Sequence, residues 1–174
     1  MTAIAAILLA CTHGDRDTAA AIHAAAVHAG VDPAIALAVA CVESGLSAKS
    51  ANPLGVRACY RRVSDRPTVA ECIRIGVVSL RNRLRGCGDN QTLAVGAHGR
   101  DKIRDRPAAG RGRAAALPGT TAASAATVVN ATPADKIEAC ALRRYQGGTR
   151  PNYPARVLRI ARFVRAKGAT DVGD

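Results

Sequence analysis

Glu43 closes an apolar, alanine-rich stretch that runs from Val31 to Leu46, and a carboxyl in that place has chemical potential. Asp32 is a good helix N-cap, and Pro33 suits the first helical position, where a missing N–H costs nothing. Ile35, Val39, Val42 and Leu46 recur at helical spacing as a core-facing stripe. Glu43 falls on the neighbouring stripe with Ala36 and Ala40, small enough to leave room above the helix, and Gly45 is the natural stop. A carboxyl set in the last turn of such a helix meets both the negative end of the macrodipole and an apolar surrounding. Settings of that kind are used for general acids. Taken alone, the same helix also fits an ordinary packing element with a solvated glutamate at its open end.

The residues that follow add to the acid. Asn52-Pro53-Leu54-Gly55-Val56-Arg57 predicts a turn and then a glycine, where backbone can approach a ligand closely. Further along, a second helix is expected to end in Tyr145-Gln146-Gly147-Gly148. With Glu43-Ser44, this turn and the Tyr145 segment in place, the chain resembles the lysozyme-like peptidoglycan-cleaving enzymes, above all the soluble lytic transglycosylases, from about Asp17 to Phe163. The resemblance implies a mostly α, lysozyme-like single domain of packed helices around a glycan cleft. It implies Glu43 as the catalytic residue and Ser44, Tyr60, Tyr145 and Gln146 as substrate contacts, with Tyr145 holding glycan or the Glu43 carboxylate through its hydroxyl.

Two segments depart from that family. Ala58-Cys59-Tyr60-Arg61 stands where a Gly-Leu-Met-Gln-like segment usually lines the cleft, and Gln146 replaces the usual Asn. The bacterial glucosaminidases are echoed more weakly: their Asn-Pro-Phe-Gly-Ile-Lys-like turn is similar to Asn52–Arg57, and their Thr-Asp-Pro-x-Tyr segment to Thr149–Tyr153. The expected function is therefore a glycosidase cutting the glycan strand of peptidoglycan, a lytic transglycosylase or a lysozyme-like muramidase. A glucosaminidase, or a non-catalytic wall-binding or structural module of the same shape, is the alternative. A hydrolase of this kind calls for a second carboxylate. Asp65 and Glu71 are the nearest downstream, but Asp65 reads as a loop turn and Glu71 as a cap, which favours the transglycosylase. In the absence of Trp, Tyr60 and Tyr153 are candidate sugar-stacking rings or core residues.

The elements that must hold these groups are helical. A helix is expected from Asp17 to Ala29, stopped by Gly30, and another from Asp32 to Ser44. Thr68-Val69-Ala70-Glu71 is a capping-box pattern opening a longer helix with Ile73, Val77, Leu80 and Leu84 buried and Gly86 as its end. Its arginines, Arg74, Arg81, Arg83 and Arg85, read as a solvated face, and a short helix is expected near Asn90–Ala97. Residues 98–124 mix Arg, Gly, Pro and Ala without an apolar period and read as a flexible basic insertion. Thr132-Pro133-Ala134-Asp135 starts the next helix, with Ile137, Cys140 and Ala141 inward. The last begins at Pro154, with Val157, Leu158, Ala161 and Val164 apolar, and residues 168–174 form a frayed tail.

Composition bounds the rest. A chain of 174 residues, 48% of them hydrophobic, suits one domain, 1–174, with one core. Much of that fraction is alanine, with one Phe, one Met and no Trp, so the core must be close-packed helices with small contacts. A net charge of +12 asks for an anionic partner. Peptidoglycan and its acidic polymers fit. Nucleic acid is disfavoured because stacking aromatics are nearly absent. No cofactor is expected, no Cys pair has zinc spacing, and His23 and His28 lack helical metal spacing, as do the scattered His13 and His98. Cys59 and Cys72 bracket the basic loop and predict a disulfide, whereas Cys41 and Cys140 read as small core residues. Met1–Ala10 is too short to span a bilayer and reads as a buried first helix, in preference to a lipoprotein signal ending at Cys11. A monomer in an extracytoplasmic setting, whether periplasmic, secreted or virion-associated, is expected.

Overall fold

In the computed structural model, residues 2–11, 14–60, 67–96 and 132–168 are described, with backbone alone for 90–96. They form six α-helices and no strand: α1 Ala3–Ala10, α2 Arg16–Ala29, α3 Pro33–Ser44, α4 Val69–Gly96, α5 Pro133–Gln146 and α6 Tyr153–Gly168. One 3-10 turn, Arg57–Cys59, lies between α3 and α4. The starts follow local chemistry. Asp15 accepts from the Thr18 N–H at 2.8 Å and Asp32 from the Ala34 N–H at 2.7 Å. Thr132 and Asp135 cap each other's N–H groups in a full capping box. Thr68 and Glu71 do the same at the head of α4, so Glu71 is a cap.

α3 is the central element. Ala34 through Ala40 are all buried, so the helix is enclosed on every side by α1, α2 and α6. Ala36 and Ala40 therefore leave no open space above the helix, contrary to the sequence expectation. Alanine lets neighbouring helices approach on all faces, and the last turn of α3, from Cys41, is partly exposed. The opening lies at the end of the helix instead of along it. α4 packs across α2 and along α5, and α5 returns the chain to α6. The core is aliphatic, with Ile7, Ile22, Ile35, Leu37, Leu80 and Leu142 fully buried. Each such side chain contributes about 1.5–3 kcal/mol, so stability is spread over many modest terms.

Three disulfides supplement it. Cys11–Cys41 ties the end of α1 to α3, Cys59–Cys72 ties the 3-10 turn to α4, and Cys87–Cys140 joins α4 to α5. Cys41 and Cys140 are thus cross-linked and not free core residues. α1 packs as a first helix with Ala6 and Ile7 fully buried. Gly86 does not end α4, which runs on to Gly96 and absorbs the separate helix expected near Asn90. Cys87 is pinned to Cys140, and the Gly86 carbonyl faces Arg144 of α5. Such tertiary contacts outweigh the roughly 1 kcal/mol that glycine costs inside a helix. The proposed basic insertion at 98–124, the tail after Gly168, and Asp65, His13 and His98 lie outside the described residues.

Candidate active site

The turn after α3 is held by one buried polar side chain. Asn52 Nδ2 donates to the Val56 carbonyl at 2.8 Å, and its Oδ1 accepts from the Val56 N–H at 2.9 Å. The Gly55 N–H donates to the Asn52 carbonyl at 3.1 Å, closing the turn from inside. Leu54 is buried against α4, where a Cβ on Gly76 would stand 2.6 Å from Leu54 Cδ1. Gly55 has φ +66°, and a Cβ there would stand 2.7 Å from Glu43 Oε2. Two glycines therefore seat one loop: Gly76 lets it lie flat on α4, and Gly55 lets its backbone touch the carboxylate. On the far side the Tyr145 O–H donates to the Leu54 carbonyl at 2.8 Å.

α3 brings Glu43 to this loop from below, and α6 brings a second phenol. Tyr153 is only 3% exposed, and its hydroxyl is buried beside Glu43 without a hydrogen bond of ordinary geometry. Burial first, and then the neighbouring Glu43 carboxylate, push the Tyr153 phenol far above its usual range. Tyr145 is pushed up by the same two causes, partly offset by Arg83. Both phenols stay protonated, so each can donate and neither competes with Glu43 for negative charge.

Glu43 sits where two cavities meet. One, of about 590 Å³, extends toward α4 and α5. The other, of about 310 Å³, extends along the turn past Ser50 and Asn52. Glu43 and Tyr60 are the residues common to both, and Tyr60 is 69% exposed. The two cavities thus share one acid and one exposed phenol. Among the described residues, Glu43 is the sole carboxylate lining either cavity. No group of three described His, Cys, Asp or Glu side chains is placed to hold a metal ion.

The other expected contacts divide. Tyr145 and Gln146 line the larger cavity and Ser44 the smaller. The Tyr145 hydroxyl is engaged with Leu54, so it braces the loop and does not hold the Glu43 carboxylate directly. Ser44 Oγ donates back to the Ala40 carbonyl at 3.0 Å, and Gln146 is turned onto Thr149 and the Arg150 N–H. Tyr153 is no stacking surface; its ring belongs to the core. Four groups escaped the sequence reading. Arg57, Arg83, Arg144 and Arg150 all line the larger cavity. Arg83, expected on a solvated face, lies 5.9 Å from the centre of the Tyr145 ring. The signal within reach was Gly76, a glycine inside an apolar helical stripe, which marks close backbone packing.

Comparison of the chain with family models, with curated proteins and with solved structures found no match.

Proposed function

We propose that this protein cleaves the glycan strand of peptidoglycan, with Glu43 as its general acid. The observation that carries the reading is a carboxylate, the sole one among the described residues there, at the junction of two cavities, touched by the backbone of Gly55 and backed by two protonated phenols. A polymer laid along the groove places the bond between consecutive sugars over Glu43. The carboxylic acid gives its proton to the glycosidic oxygen as the C1–O bond breaks, and positive charge develops at C1. With no second described carboxylate in the groove, the same group is best used twice. The carboxylate then takes the proton of the sugar's own 6-hydroxyl as that oxygen bonds to C1, giving a 1,6-anhydro end. This is lytic transglycosylase chemistry, and it needs neither metal nor cofactor. The three disulfides support an oxidising, extracytoplasmic setting.

Mass spectrometry of digested cell-wall sacculi tests the reaction class. Anhydro-muramyl ends are expected. Reducing muramic acid ends would mean a muramidase, reducing glucosamine ends a glucosaminidase. Intact sacculi with retained protein would mean a wall-binding module, and the enzymatic reading would fall.

A further inference from the structure

The charges in this groove are unevenly placed. On one side of Glu43 the larger cavity carries Arg57, Arg83, Arg144 and Arg150 and, among the described residues, no second acid. On the other side the smaller cavity is lined by Ser44, Ser50, Ala51 and Asn52 and has no cation among the described residues. Two arginines of α6 are neutralised by acids. On α6, Arg162 pairs with Asp135 at 2.8 Å, and Arg165 pairs with Asp32 at 2.7 Å and with Glu138. None of the four groove arginines makes an ion pair with a described residue. Arg144 reaches only the Gly86 carbonyl at 3.5 Å, and the buried Nε of Arg83 has no hydrogen-bond partner. Like charges held together without counter-ions repel one another, and an unpaired buried donor costs stability. Such a cluster is best explained by an anion that arrives with the ligand. Guanidinium groups suit carboxylates because their planar N–H pairs match both oxygens.

Resting on the reading of the groove as a glycan-cleaving site, we propose that its arginine side recognises carboxylate substituents of the glycan. An acidic sugar is then held on that side of Glu43 alone and a neutral sugar on the other. Recognition of this kind fixes the direction in which the strand lies as well as its identity. It also gives Arg57 and Arg150 a part in substrate choice, separate from proton transfer at Glu43.

The test compares three substrates: native peptidoglycan strands, the same strands with carboxylates converted to neutral amides, and uncharged chitin oligosaccharides. The native strands should be cut at least about tenfold faster, by kcat/KM, than the amidated ones, with the difference shrinking as salt is raised. In the doubly substituted Arg57→Gln, Arg150→Gln protein, the ratio between native and amidated strands should fall toward one. Circular dichroism and thermal unfolding establish that this variant is folded, and Arg57→Lys alone should retain part of the preference. Equal cleavage of native and amidated strands would overturn the inference while leaving the glycosidase reading intact. Failure to cut any of the three would overturn the glycosidase reading itself.

Discussion

Tyr145 shows how one hydroxyl links two separate pieces of the site. Its ring lines the larger cavity and its O–H holds the Leu54 carbonyl, one residue from the glycine that touches Glu43. Tyr145→Phe keeps the ring and removes that bond. The expected loss of stability is about 1 kcal/mol, typical of one hydrogen bond. Activity should fall further than stability, because a loop that drifts disturbs the acid it supports. Thermal unfolding and turnover measured on the same preparation check this. Full activity with lowered stability would make Tyr145 a packing residue only. At this scale the sequence exposed Glu43, Gly55 and Tyr145, because each sits in a local pattern of helix end or turn. The arginines were hidden, since they converge from α4, α5 and the loops without any shared period.

Among elements, the loop 52–56 and α4 fit through Gly76. Helix propensity alone predicts that Gly76→Ala stabilises the protein by about 1 kcal/mol. The structure predicts the opposite sign, because the new methyl would stand 2.6 Å from Leu54 Cδ1 and 2.8 Å from its Cβ. Overpacking of this sort typically costs about 1–3 kcal/mol. Denaturant unfolding decides between the two, and a stabilised Gly76→Ala protein would mean that the loop is free to move aside. Helix starts were legible because caps are local: Asp32 with Pro33, Thr68 with Glu71, and Thr132 with Asp135 act within a few residues of themselves. The end of α4 was not legible. Gly86 is a reasonable stop by itself, and only the link from Cys87 to Cys140 and the face of α5 carry the helix past it.

For the whole molecule, the caps make stability depend on acid. The Thr18 N–H and hydroxyl hold Asp15 below its ordinary value of 3.8, and the Thr68 N–H and hydroxyl hold Glu71 below 4.5. Asp135 is lowered first by Arg162 and then by Thr132. Groups whose pKa is depressed on folding contribute stability above their unfolded values and lose it as pH falls through the folded ones. Tm should therefore be level down to about pH 5 and decline below about pH 4. A Tm unchanged to pH 2 would mean that these carboxylates are not held by their caps in solution. The mostly helical architecture followed from spacing and composition. The enclosure of α3 over Ala34–Ala40 did not, because alanine is as acceptable on an open face as in a close helix contact.

If Glu43 moves the proton, Glu43→Gln should abolish cleavage while leaving the fold intact. The amide keeps the shape of the side chain and its place against Gly55 but has no proton to give. Soluble fragments released from sacculi by the wild-type and Glu43→Gln proteins should differ by at least about 100-fold, the lower range for loss of a general acid, with circular dichroism and Tm nearly unchanged. Near-normal release by a folded Glu43→Gln protein would contradict the account.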